Sequence, residues 1–553
     1  MAEGNPSVVE VVDVLPDSPK SAPTRKDMRF CMVLLSLLIA LFIAILESGA
    51  IGTALPTIVE DLHGAQFLWV PNAYTLTSTA LLPLSGGLAE IFGRRPVMLT
   101  TLLLFITGSA IGGAAQSMDM LIVGRAIQGS GAGGIYALTQ IILSDMVTLQ
   151  ERGAYSGLFG LTWAIAGGIA PIVGGGLAKH TRWRWLFYLN VPIAGLSFFL
   201  VFAFLKLPVP PGTLQEKSRK IDFLGNAIVI GSTCACVIGL TWGGVVFPWS
   251  SARVLVPLVI GIIGVVLFVV YETLWCAHPI VPLALVANRT SLSGYIQIFL
   301  CSFILVNLLY YLPVYYQACL GASPTASGVD LFGFAFTSAP IAMLTGVSVG
   351  ITKRYRLQIW VGWAITIVGL GLISMIRENT SRATSIGFQV VIGTGVGFIY
   401  STVYFPVLAP LPVQLNAHAL AFYTFFRALS QVWGITIGGT VLQNGLAHML
   451  PASFAQVNNG DGLAYSLIPD IHSLPQPLKD EVRAAFAHSL RTLWIVLVAI
   501  AGLGLMASLL MKGLSLHAQR DERWAIKDDP LKQSEDGPSR PELQMPESSA
   551  EKP

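Results

Sequence analysis

Long apolar runs recur along almost the whole chain, each near the ~20 residues that a helix needs to cross a bilayer. They lie at 30–57, 67–91, 97–116, 120–144, 155–178, 185–206, 222–246, 253–275, 292–317, 331–352, 358–376, 385–411, 420–444 and 488–512. The pattern predicts an all-α polytopic membrane protein with about fourteen spanning helices, and an even count returns both termini to one side. Residues 1–27 are rich in Pro, Ser and acids and hold no short apolar core with a cleavage site. They read as a disordered tail, not a signal peptide. Residues 513–553 mix charge with Pro and Ser and read the same way. The Pro-rich, then basic stretch 207–221 reads as a linker, and 445–487 as a long loop on the opposite face.

Composition agrees with the pattern. Of 553 residues 54% are hydrophobic and only 11% charged, against about 25% charged in soluble proteins. Lys and Arg gather in alternate loops, at Arg94/Arg95, Lys217–Lys220, Lys353–Arg356 and in both tails. By the positive-inside rule both termini are cytoplasmic; only the cluster Lys179–Arg184 runs against this. A net charge of +3 spread over short loops gives no nucleic-acid surface. The six Cys are scattered without disulfide or metal spacing, the eight His form no H-E-x-x-H, and no Gly-Lys dipeptide is present for a phosphate loop. The expectation is a protein with no metal or cofactor, and not an enzyme. Asn379-Thr-Ser is a glycosylation sequon on the expected outer face.

Two charges break the apolar runs. Arg125 lies in MLIVGRAIQGSGAGGIY and Glu47 in LFIAILESGAIGTALP. A guanidinium in hydrocarbon costs at least ~2.5 kcal/mol on insertion scales, so it must face the interior and find a partner. Glu47 is the acid placed to serve. Two readings stay open: an ion pair that fixes helix packing, and a proton site, since intramembrane ionisable groups mark ion pathways. A second cluster follows the second run, GGLAEIFGRRPVML, with Gly86 and Gly93 for a tight turn and Glu90, Arg94 and Arg95 at the cytoplasmic end. Asp145, at the same end of the fourth run, is a further partner for Arg94. The plainer reading of this loop is a positive anchor.

At that loop the chain resembles the major facilitator superfamily, whose signature is G-x-L-a-D-r-x-G-r-r; Glu90 stands for the usual Asp and Ile91 for the usual Arg. Arg125, Gln128, Gly129 and Gly131 match the family's R-x-x-Q-G-x-G, whose arginine is linked to proton coupling. The stretch 153–176 resembles the antiporter signature, with Gly157, Pro171, Gly174 and Gly175 in register and Ala166 and Ala170 in place of two glycines. WRWLFYLNVP, KIDFLGN and LESGAIGTALPTIVEDL are similar to the fourteen-helix drug:proton antiporter branch, and to its fungal toxin and metabolite exporters. The resemblance implies two six-helix bundles, 28–206 and 292–512, with a linker and two additional helices across 207–291.

Aromatic residues lie in or at the ends of the runs, and the default reading is core and interfacial belt. The functional reading is a cavity for large, flat molecules, lined by Asn72, Tyr74, Gln128, Trp163, Tyr310, Gln317, Phe426 and Arg427. Three classes follow. The first is a proton-coupled exporter of small apolar or amphipathic molecules in the plasma membrane, acting as a monomer. The second is a proton-coupled carrier of one defined solute, such as a basic amino acid or an iron chelate, in the plasma or vacuolar membrane. The third is a receptor or membrane enzyme on a transporter scaffold. The charges in the helices and the antiporter signature favour the first.

Overall fold

Helices alone build the described part of the chain, and their ends follow local chemistry. The structure is a computed structural model and describes residues 27–62, 69–149, 151–179, 183–218, 221–243, 247–276, 281–451, 468–471 and 473–516. Nearly all of both tails, and 452–467 of the long loop, lie outside these residues.

In chain order the helices are α1 (Met28–Leu62), α2 (Trp69–Ala80), α3 (Leu82–Phe92), α4 (Arg94–Gly113), α5 (Met118–Met146), α6 (Arg152–Lys179) and α7 (Arg184–Phe204). Then come α8 (Leu214–Ser218), α9 (Phe223–Trp242), α10 (Ala252–Leu274) and α11 (Ala284–Ala287). The second half holds α12 (Arg289–Ala318), α13 (Pro324–Asp330), α14 (Phe332–Thr352), α15 (Arg356–Ile373), α16 (Arg382–Tyr400) and α17 (Tyr404–Leu408). A 3₁₀ turn (Val413–Leu415), α18 (Asn416–Met449), α19 (Ile468–Ile471) and α20 (Leu478–Leu509) complete it.

Side-chain caps set several starts. Ser117 accepts from the Met120 amide, Asp222 from Gly225, Ser251 from Arg253, Asn288 from Thr290 and Ser381 from Thr384, each satisfying an amide that a helix start leaves without a partner. The α2–α3 break at Leu81 is followed by Pro83 in the first turn of α3, where its missing N–H costs nothing. Gly93, at φ 96°, is the whole turn between α3 and α4; a Cβ would strain that conformation.

Eleven described helical stretches are long and apolar enough to cross a membrane. Three more stretches are of spanning length but more polar: the broken α2–α3 pair, the 29-residue α5 and the 34-residue α18. Their polar residues turn inward, since Gln128, Thr139, Ser430 and Thr436 are buried. Polar groups at membrane depth must be satisfied inside the protein.

Packing falls into two sets. α1 lies against α6 and α7, and α5 against α2 and α4. α12 lies against α18 and α20, and α16 against α14 and α15. The sets meet where α6 touches α14, and where α18 touches α3 and α5. Small residues set the closest approaches: a Cβ on Gly108 would strike the Gln128 backbone, and Gly153 and Gly346 lie backbone to backbone. Between the sets, α9 and α10 form an antiparallel hairpin, with Gly239 against Leu258 and Gly264 against Ser232. α9 also touches α2 and α18. α10 leaves Val256, Ile260, Ile263 and Leu267 exposed, a surface suited to lipid.

Candidate functional site

Glu47 sits mid-way along α1, and α5 brings Arg125 to it. Arg125 Nη1 donates to Glu47 Oε1 at 2.8 Å, and both side chains are almost wholly buried, at 1% and 2% exposure. The pair has further partners. Asn190 of α7 donates from Nδ2 to Glu47 Oε2 at 2.8 Å. Arg125 donates from Nε to the Val70 carbonyl at 3.1 Å and from Nη1 to Gln128 Oε1 at 2.7 Å. Gln128 in turn donates to Ser109 Oγ at 2.8 Å. Five helices, α1, α2, α4, α5 and α7, thus contribute to one buried network. Breaking such a pair by removing one partner costs about 3–5 kcal/mol.

The guanidinium also lies over the Tyr74 ring, with Cζ 4.3 Å from its centroid. The Tyr74 hydroxyl donates to the Ala44 carbonyl at 3.0 Å, and the Tyr136 hydroxyl donates to the same oxygen at 3.2 Å. Ala44 is three residues before Glu47 on α1. Tyr136 lines a cavity between the two helix sets, together with Arg152, Trp163, Tyr400, Tyr404 and Arg427. Tyr74 thus touches the ion pair, Tyr136 lines the cavity, and the two hydroxyls share one acceptor.

Of the residues expected in the cavity, Trp163 and Arg427 line it. Tyr74 and Gln128 belong to the ion-pair network. Asn72 is half-buried in the first turn of α2. Gln317 bonds Ser327 of α13, Phe426 packs with Tyr295 and Phe422, and Tyr310 is half exposed. None of these last four is among the lining residues. The sequence reading passed over Asn190, Tyr136, Arg152, Tyr400 and Tyr404. An amide inside the aromatic run WRWLFYLNVP was a legible signal for Asn190.

The cluster at the turn between α3 and α4 is also assembled. Arg94, itself buried, donates from Nε to Asp145 Oδ2 at 2.9 Å and from Nη1 to the Ala89 carbonyl, and lies 3.5 Å from Glu90 Oε2. Arg95 turns away, to the Phe202 carbonyl at 2.7 Å and the Phe202 ring. Gly86 faces Ala417 and Ala421 of α18, so this loop touches the second helix set. On α6, Gly157 lies against Met343 of α14, Gly174 is buried, and Gly175 has no neighbour within 4 Å of where a Cβ would stand. Pro171 lies on the same helix. Asn379 is exposed in the turn between α15 and α16.

The profile of the Major Facilitator Superfamily matches residues 37–435. The chain belongs to the major facilitator superfamily. This facilitator is a membrane transporter and not an enzyme. It is 37% identical over 525 residues to the efflux pump FUS6 of Gibberella fujikuroi, covering 93% of this chain and 95% of that one. It is 37% identical to the MFS-type efflux pump LUC4 of a Fusarium species, over 93% of each chain. To the acurin A biosynthesis cluster MFS-type transporter of Aspergillus aculeatus it is 36% identical, over 92% of this chain and 94% of that one. Among solved structures, the proton:xylose symporter XylE shares the fold at a TM-score of 0.56 and 13% identity, covering 89% of this chain and 98% of that one. The human organic anion transporter MFSD10 shares it at 0.55 and 14%, over 86% and 100%.

Proposed function

We propose that this facilitator exports small amphipathic organic molecules, of the kind fungal metabolite efflux pumps carry, in exchange for protons. Relatives named as efflux pumps across the full length support export. The observation that carries the proton role is the buried Glu47–Arg125 pair and its link through Tyr74 and Tyr136 to the cavity. Burial favours the neutral acid, whereas Arg125 favours the anion. Those opposed effects make protonation of Glu47 depend on how closely the guanidinium is held. A proton on Glu47 cancels the charge attraction, and Arg125 keeps Val70, Gln128 and the Tyr74 ring. A molecule in the cavity presses on Tyr136, which shares its acceptor with Tyr74, the ring beneath Arg125. Proton and cargo then bias the same two-state motion.

Contact between the halves at Gly86 and at Gly153–Gly346, beside the Arg94–Asp145 bond, supports a cytoplasmic face that is shut. In this reading Arg94, Glu90 and Asp145 latch that face, and Gly157, Pro171, Gly174 and Gly175 give α6 its sliding surface. On the same reading the eleven spans, with α2–α3, α5 and α18, make fourteen; the loop charges favour cytoplasmic termini, and the protein works as a monomer in the plasma membrane.

The test is flux of a fluorescent organic substrate in liposomes with an imposed pH gradient, beside equilibrium binding. Glu47→Gln keeps the shape and an acceptor for Arg125 but cannot titrate, and its NH2 is met only if the Asn190 amide turns its oxygen toward it. It should bind substrate and lose gradient-driven flux, while Glu47→Asp retains part of it. Wild-type gradient dependence in Glu47→Gln leaves the pair as structure only. If wild-type protein instead concentrates a single polar solute inward, the reading as an exporter fails.

A further inference from the structure

The cavity between the two helix sets is lined by two arginines, Arg152 and Arg427, and by no acid. The two are placed differently. Arg427 donates from Nη1 to the Tyr400 hydroxyl at 2.8 Å. Arg152 is 2% exposed, and neither its Nε nor its Nη1 has a hydrogen-bond partner. Asp145, an acid near enough to act on Arg152 electrostatically, is already bonded to Arg94. A guanidinium stays charged in any protein environment. Burying one without bonding its donors is costly, and in proteins such charges are paired or serve a ligand.

Other features of the lining agree with a ligand there. Trp163 Nε1 is also buried without a partner, on the same helix as Arg152. Tyr404 and Tyr423 add aromatic surface from the second helix set. Arg427 has the Tyr400 hydroxyl, whereas Arg152 Nε and Nη1 and the Trp163 indole N–H are donors without an acceptor; the Ser156 and Tyr404 hydroxyls of the same lining are unbonded as well, and no carboxylate is among the lining residues. A carboxylate suits such a fork because both of its oxygens accept at once.

We infer that Arg152 and Arg427 form an anion site, and that the cargo is an amphipathic organic acid whose carboxylate meets Arg152 while its apolar body lies against Trp163 and the tyrosines. This deepens the exporter reading and rests on it for the direction of transport, but the anion site itself does not depend on proton coupling. An anionic cargo also makes export electrogenic, so an inside-negative potential expels it. Arg152 is a positioning cation for the cargo and carries no proton.

The experiment titrates purified protein with three probes of one shape: 2-naphthaleneacetate, its neutral amide, and 2-naphthylmethylamine. Tryptophan fluorescence reports binding. Wild-type protein should bind the acid about tenfold or more tightly than the amide, the scale of a hydrogen bond to a charged group, and the amine least. Arg152→Met should erase the preference for the acid, weakening acid binding far more than amide binding. The same variant should melt no lower than wild type without ligand, because an unpartnered buried charge has been removed. Arg152→Lys should keep a weaker preference for the acid. Equal binding of acid and amide by wild type, or binding of none of the three, overturns the proposal, as does a preference that survives Arg152→Met. So does a marked fall in melting temperature in both Arg152 variants, which is the mark of a structural arginine. Gradient-driven flux is read separately. Arg152-dependent acid binding without such flux ends the exporter reading and leaves the anion site. Flux of neutral compounds without acid preference does the reverse.

Discussion

The two helix sets solve the same problem, polar groups at membrane depth, with different chemistry. In the first, the interior is charged. Glu47 and Arg125 pair at 2.8 Å, and Arg94 and Asp145 pair at 2.9 Å. In the second, Arg427 faces the cavity, and the rest of the described network is bonded through amides and hydroxyls. Trp363 donates to Gln297 at 3.0 Å, and Gln297 donates to Ser293 at 2.9 Å. Gln389 donates to the Tyr316 hydroxyl at 2.6 Å, and Tyr316 meets Ser385 at 2.9 Å. Among the described residues the ion pairs of that set, Asp330–Arg382 and Asp480–Arg483, lie at helix ends, and each has an exposed member. An amide network does not change charge at any ordinary pH; a carboxylate network can. On the proton-exchange reading proposed above, the first set is the one that can switch, and the second holds a fixed frame.

The sharpest way to break this comparison is to neutralise each interior in turn. Glu47→Gln should lower gradient-driven flux by about tenfold or more, within the usual range of coupling free energies. Gln389→Ala should reduce stability yet keep the pH dependence of flux. If Gln389→Ala also removes that dependence, the division of labour is mistaken. The next effect is on folding. Arg125→Ala strands Glu47 and should destabilise by about 3–5 kcal/mol, whereas Trp363→Phe removes one neutral hydrogen bond and should cost about 1 kcal/mol. Thermal melts in detergent measure both. The double variant Glu47→Leu/Arg125→Met should recover most of the stability and none of the uphill flux.

A smaller effect separates the basic loops that follow α3 and α14. Arg94 is buried and bonded to Asp145, so Arg94→Ala should slow flux several-fold at normal expression, with partial rescue by Arg94→Lys. Arg356, in the corresponding loop, stacks on Trp360, and Arg356→Ala should change flux little. Equal losses would make the Arg94 loop an anchor. The smallest effect lies along α6. Gly175→Ala has open space and should be neutral or stabilise by about 0.5–1 kcal/mol through helix propensity. Gly157→Ala meets Met343 and should offset that gain and slow transport.

The sequence made the switching half easier to read than the frame. Glu47 and Arg125 stand out because ionisable residues in apolar runs are few, and each had to find the other. Arg94 and Asp145 were legible from the turn at Gly93 and from the shared end of two runs. Arg152 was not, because a cation at a helix start reads as a solvated loop charge. Tyr404, which lies near it in the cavity lining, arrives from the other half of the chain and has no local signal. Tyr310, Gln317 and Phe426 show the converse. An aromatic or amide at helical spacing does not say which way it points, and these face other helices or the surface. Helix ends beyond the apolar runs were hidden as well. α20 begins at Leu478, ten residues before its run, with a polar first turn that hydropathy cannot see.

The α9–α10 hairpin has a consequence for parity. A hairpin leaves one face of the bilayer and returns to it, so it can be inserted between two bundles without inverting the second. A single extra helix would turn the second bundle over and bring its basic loop after α14 to the wrong surface. Pairs are thus the natural unit by which such a chain can lengthen. The exposed apolar face of α10 marks where this pair meets lipid, and no residue of the pair is among those lining the cavity.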